Sequence, residues 1–185
     1  MKDDRISPRP VTGAPPLRRS RGFTLIEVLI TVVIMSIGLL GLAGLQFNSL
    51  RSNQSAAQAT MAAVQALDAA DRLRGNPAGA AAGNYNLLAG ESGDPGCIGT
   101  SAGCSPAQLA RYDDWAWSRA VAGALPSGEG VICLDSTPDD GVSRAEHECD
   151  GARTGGLNVF VAKIWWDDDR NPATPPRRHY LSLMP

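Results

Sequence analysis

Four cysteines, two histidines and two aspartate runs are the residues of this 185-residue chain with chemistry beyond packing. Cys97, Cys104, Cys133 and Cys149 could form disulfides or hold zinc, with His147 beside Cys149 as a second ligand type. Structural zinc favours close pairs such as C-x2-C, whereas six residues separate Cys97 from Cys104 and fifteen separate Cys133 from Cys149. Asp139-Asp140-Gly141 and Asp167-Asp168-Asp169 offer clustered oxygens to calcium. A loop opened at Asp135 fails the EF-hand register, because Asp140 rather than Gly141 would fall at its sharp turn. Solvated turns account for both runs more simply. An enzyme would need a nucleophile, a base and an orienter, yet His147 and His179 are the only histidines. With no nucleophile motif and no phosphate-binding glycine loop, the sequence predicts no catalytic residue, no metal site and no cofactor.

Glu27 poses a different problem. It is the single charge in the 23 residues from Phe23 to Leu45. As a helix that run spans about 35 Å, enough to cross a hydrocarbon core of about 30 Å. A carboxylate there costs up to about 2.5 to 3.5 kcal/mol at mid-span and less near an end, so it calls for a partner. Ahead of the run, Met1 to Gly22 holds six basic and two acidic residues, a net +4. The remainder holds eleven basic and seventeen acidic residues, a net −6, which argues against a nucleic-acid-binding surface. Basic flanks stay on the cytoplasmic side, so the C-terminal part faces outward. All four cysteines lie in that part, where an oxidising compartment favours disulfides. Three pairings are open, and the short separations favour Cys97 with Cys104 and Cys133 with Cys149. The loops so closed would contribute about 2.5 and about 3 kcal/mol.

A secretory signal has a shorter apolar core and a small-residue cleavage site after it, whereas this basic, proline-rich leader ends in Gly22 before a full-length span. The stretch Arg21-Gly22-Phe23-Thr24-Leu25-Ile26-Glu27-Val28-Leu29-Ile30 resembles the cleavage and methylation motif of type IV prepilins. The resemblance implies that prepilin peptidase cuts between Gly22 and Phe23 and methylates the new amino group of Phe23. Glycine, lacking a Cβ, suits a tight protease cleft. It also implies that Glu27, fifth in the mature chain, pairs with the amino terminus of another subunit and sets the assembly register.

The elements that must carry these residues follow the same plan. Beyond Leu45 the chain turns polar without a break, and Leu50, Ala57, Met61, Val64 and Leu67 form a helical stripe with Arg51, Gln54, Gln58, Gln65 and Asp68 off it. The sequence therefore predicts one helix from Phe23 to Arg74, stopped at Gly75-Asn76-Pro77, with that stripe as packed core. Gly38, Gly41 and Gly44 weaken the apolar half or let neighbouring helices approach. Gly75 to Ser105 reads as a long surface connection. Ser105-Pro106 starts a second helix with Leu109, Tyr112, Ala116 and Ala120 on one face and Trp115 and Trp117 flanking it. Strands are predicted at Val131 to Leu134, Leu157 to Trp166 and His179 to Leu183. The main strand is apolar on both faces, as if one packs on the long helix and the other is covered by a loop or neighbour.

This is an α+β plan of the type IV pilin kind, a long N-terminal helix with a small antiparallel sheet and a second short helix. Four segments are expected: leader 1–22, transmembrane helix 23–45, amphipathic helix 46–74 and head 75–185. Ala70 to Pro77, Asp114-Trp115, Leu125 to Gly128 and Val161 to Trp166 resemble the PilV type of minor pilin. That resemblance implies a subunit at or near a pilus tip supporting assembly, twitching motility or adhesion. Its implied partners are prepilin peptidase, other minor and major pilins and the inner-membrane assembly platform. It implies a single inner-membrane pass with a periplasmic head before entry into the extracellular pilus. A minor pseudopilin of type II secretion and a membrane-anchored ligand- or calcium-binding module are the alternatives.

Overall fold

The computed structural model describes residues 22–87, 93–153, 155–171 and 173–184. The leader through residue 21 lies outside the described residues. Helix α1 runs over Leu25–Gly75, 51 residues without an interior proline. Its N-terminus is held by Thr24, whose Oγ1 accepts the amide of Glu27 at 3.3 Å. The chain divides into two units, Met1–Phe47 and Asn48–Pro185. In the first, every described residue is exposed, including Phe23, Leu29, Val33 and Leu40. Gly38, Gly41 and Gly44 do not interrupt the helix.

The second unit holds every buried residue of the described chain. Pro77 prevents α1 from continuing smoothly, because proline disfavours helical geometry at the residue before it, and Asn76 sits at φ −131° and ψ 64°. A short helix α2 (Pro77–Ala81) starts there. The Asn76 side chain caps it by accepting the Gly79 amide at 3.1 Å and donates Nδ2 to the carbonyl of Pro106 at 2.8 Å. A Cβ on Gly79 would meet the Asn76 amide at 2.3 Å, so this cap requires glycine. Helix α3 (Pro106–Ala124) opens with a reciprocal capping box between Ser105 and Gln108.

Strands β1 (Glu129–Leu134), β2 (Phe160–Trp166) and β3 (Arg177–Leu183) form an antiparallel sheet in that order. Cys133 pairs with Val161 and Ala162 with Leu181. On one face Ile132, Leu134, Phe160, Ala162, Ile164 and Trp166 join α1 and α3 in a single core. The α+β plan therefore stands. The main strand begins at Phe160, and Leu157 is exposed.

Two helix faces differ from expectation. On α1 the buried residues are Gln58, Ala62, Ala66, Ala69, Ala70 and Leu73, whereas Leu50, Met61, Val64 and Leu67 are each more than half exposed. Alanines let bulky partners approach, and the indole of Trp117 donates to the backbone carbonyl of Gln65 at 2.8 Å across this face. On α3 the buried face is Ala110, Asp113, Asp114, Trp117 and Val121, while Leu109, Tyr112, Trp115, Ala116 and Ala120 are half-buried. Close packing on β1 fixes that rotation: a Cβ on Gly130 would meet the Trp117 ring at 2.6 Å. The connection after Gly75 also carries fully buried Tyr85, which no periodicity announced.

Candidate functional site

The junction expected to carry processing and assembly lies at the start of the first unit. Gly22, Phe23 and Thr24 precede the helix, and Glu27 falls in its first turn. An acidic group there is favoured by the helix dipole. Phe23 is 81% exposed. Among the described residues the Glu27 carboxylate has no hydrogen bond or ion pair, although its amide is capped by Thr24. The helix that follows is apolar and long enough to cross a membrane, and no residue of its apolar stretch is buried. Glu27 is therefore an unpaired carboxylate on an otherwise apolar surface, a state that a cation from outside this chain would relieve.

In the second unit the structure joins Cys97 to Cys104 and Cys133 to Cys149 as disulfides. Their thiolates are thereby unavailable to zinc. The second bridge helps hold residues 135–151 over the other face of the sheet, where Val131, Cys133 and Trp165 pack with Cys149. On that face stands Lys163, only 2% exposed. Its ammonium meets Asp135 Oδ2 at 2.5 Å, the Asp140 carboxylate, and the carbonyl of His147 at 2.9 Å. Burial works to raise the Asp140 carboxyl, but hydrogen bonds from Lys163 and Thr137 outweigh it and hold the group below its ordinary value. Ser136 and Asp150 close the base of the same loop at 2.5 Å, and the Gly151 amide donates to the Leu134 carbonyl. Asp140 is thus an ion-pair partner of a buried lysine. His147 accepts the Cys149 amide on Nδ1 at 2.9 Å, which orients its ring within the loop. His179 sits in β3 opposite Ile164. Among the described residues no contact joins either histidine to a hydroxyl or thiol nucleophile.

A second polar centre ties the helices together. The Tyr85 hydroxyl donates to Asp113 Oδ2 at 2.5 Å and accepts from Asn76 Nδ2 at 3.1 Å. Arg72 reaches Asp113 at 3.4 Å and Asp68 at 2.9 Å. Burial pushes both Tyr85 and Asp113 above their ordinary values, against the lowering pull of Arg72. Such a network fixes how three elements meet.

The acidic run at residues 167–169 lies between β2 and β3, facing α1 across an open cleft of about 560 Å³. Asp168 accepts Ser55 Oγ at 3.1 Å and Arg177 Nε at 3.0 Å, and Asp169 accepts Thr174 Oγ1 at 2.8 Å. Arg51, read in the sequence only as a residue off the helical stripe, and Arg177 come to this cleft from positions 126 residues apart, a juxtaposition with no local signal.

No curated protein and no solved structure matches the chain. Residues 17–43 match the prokaryotic N-terminal methylation motif, so the match covers the end of the basic leader and most of the apolar run, with Gly22, Phe23 and Glu27 inside it. That match supports a type IV pilin-like protein, a pilin or pseudopilin, and the motif implies processing by prepilin peptidase and assembly with other pilins.

Proposed function

We propose that this chain is a minor pilin of the type IV pilus, resembling the PilV type, cut between Gly22 and Phe23, methylated on Phe23 and incorporated at or near the pilus tip. The observation that carries the reading is Glu27, an unpaired carboxylate in the first turn of a wholly exposed apolar helix inside the methylation motif. The amino group freed on Phe23 of a neighbouring subunit would supply the missing cation. In a low-dielectric environment the attraction between the two charges is strongest, and it offsets the desolvation of each group on entering. The exposed aliphatics continuing along α1, Leu50, Met61, Val64 and Leu67, support helix contacts with other subunits.

In this reading the chain divides into leader 1–22, membrane helix 23–45, amphipathic helix 46–74 and a head at 75–185. It waits in the inner membrane with its head in the periplasm, and meets prepilin peptidase, the assembly platform and other minor and major pilins. The leader and helix are equally those of a minor pseudopilin of type II secretion. Deleting the gene separates the two. Loss of twitching motility with exoprotein secretion intact supports the pilus, and the reverse pattern assigns the chain to secretion.

A further inference from the structure

The cleft between α1 and the β2–β3 connection lies entirely within the second unit, yet it begins where the apolar run ends. Asn48, Arg51 and Ser52 line its helix side, and they fall three to seven residues beyond Leu45. At about 1.5 Å per residue this is roughly 5 to 10 Å along the helix, the depth of a phospholipid headgroup layer when the span to Leu45 fills the hydrocarbon core. Asp168, Asp169 and Arg177 line the opposite side. The volume, about 560 Å³, is that of a small-molecule site.

The charges in the cleft are two of each sign. Among the described residues Arg177 contacts Asp168 through Nε, and both Nη groups are left to donate elsewhere. Arg51 Nη2 stands 3.7 Å from Asp169 Oδ2, beyond hydrogen-bond reach, and its side chain is 68% exposed. The guanidinium fork matches phosphate oxygens in pairs. Among the described residues both contacts of Asp168 are made through Oδ2, so its Oδ1 is open to a further donor. A purely anionic headgroup would meet the arginines and be repelled by the two aspartates. A choline headgroup has no N–H with which to satisfy them. A phosphate bearing a primary ammonium satisfies both signs at once.

We propose that this cleft binds the phosphoethanolamine headgroup of a membrane phospholipid, phosphate to Arg51 and Arg177 and ammonium to Asp168 and Asp169. The proposal rests on the membrane-anchored reading of α1. In the inner membrane the bound headgroup would hold the second unit against the bilayer surface, and extraction into an assembly would require its release.

The test uses the full chain reconstituted in nanodiscs of phosphatidylcholine alone, or of phosphatidylcholine with either phosphatidylethanolamine or phosphatidylglycerol. Lipid retained after detergent extraction is read by native mass spectrometry. We expect phosphatidylethanolamine to be enriched about tenfold over phosphatidylcholine and above phosphatidylglycerol, and Arg51→Gln to erase the enrichment. Arg51 makes a single long ion pair, 3.7 Å to Asp169, from a mostly exposed side chain, so that variant should fold, and its thermal unfolding is compared with the parent. Equal retention of the three lipids, preference for phosphatidylglycerol, or unchanged enrichment in a folded R51Q each overturns the proposal. Soluble glycerophosphoethanolamine retained as well as the lipid would overturn its bilayer source. Failure to enter any nanodisc would instead overturn the membrane reading, and the proposal with it.

Discussion

Lys163 shows how one residue can decide the behaviour of a whole sheet face. A buried ammonium is tolerated only with its charge balanced, and here Asp135, fully buried, and Asp140, at the surface, share that task. Lys163→Met should cost about 3–5 kcal/mol, because it strands the Asp135 carboxylate in the interior, and a second change of Asp135 to Leu should recover much of it. Denaturant titration of both variants measures this. The pH dependence follows from Asp140, whose folded-state value is depressed. A depressed carboxyl contributes stability that is present above its unfolded value near pH 4 and is lost as pH falls through the lower folded value. Melting temperature should therefore drop on acidification below about pH 4, and Asp140→Asn should lower stability at neutral pH while flattening that slope. At the other end of the chain, Gly22→Ser should leave the precursor uncut. Glu27→Ala should be cut yet enter complexes poorly. Gel mobility and co-purification with other pilins read the two effects, and ordinary processing of G22S would sink the assignment of the junction.

At the scale of elements, the informative one is α1, because its two faces are assigned opposite to the rule that large apolar residues go inward. Ala66 is fully buried against the core, so Ala66→Leu should overpack it at about 1–3 kcal/mol. Leu67 is 55% exposed, so Leu67→Ser should change stability by no more than about 0.5 kcal/mol while lowering incorporation into an assembly. Thermal melts beside a pull-down distinguish these, and a large loss of stability in L67S would overturn the exposed-face assignment. Most of the elements were legible in the sequence, the exception being α2, which lies in the stretch read as a surface connection. Gly75-Asn76-Pro77 and Ser105-Pro106 mark helix ends, and Val131 to Leu134 and Leu157 to Trp166 mark strands by composition, although the second of these begins only at Phe160. What was not legible was which face each helix buries. The alanine face of α1 is buried because Trp117 and the sheet aromatics supply the bulk from elsewhere in the chain, and a stripe read on one helix cannot contain that information. Lys163, Tyr85 and the Arg51–Arg177 cleft were hidden for the same reason, since each depends on partners more than ten residues away.

For the whole molecule, the division at Phe47 and Asn48 has a direct consequence. The helix is continuous across it, but burial is not. Every buried residue lies at Gln58 or later, and the alanine face from Ala62 to Leu73 is as much a part of the core as the sheet. A fragment beginning at Asn48 keeps the complete core, both disulfides and the Lys163 clamp, and removes most of the exposed apolar surface that would drive aggregation in water. It should be soluble and unfold cooperatively at the temperature of the detergent-solubilised full chain. A fragment beginning at Asn76 loses Ala62, Ala66, Ala69, Ala70 and Leu73 and exposes the face of the sheet that packed on them. It should not fold, because removing several fully buried side chains together exceeds the net stability of a domain this size, about 5–15 kcal/mol. Circular dichroism melts of the two fragments decide the matter. Cooperative unfolding of the Asn76 fragment would mean that the sheet and α3 form a self-sufficient head, with the amphipathic half of α1 merely attached to it.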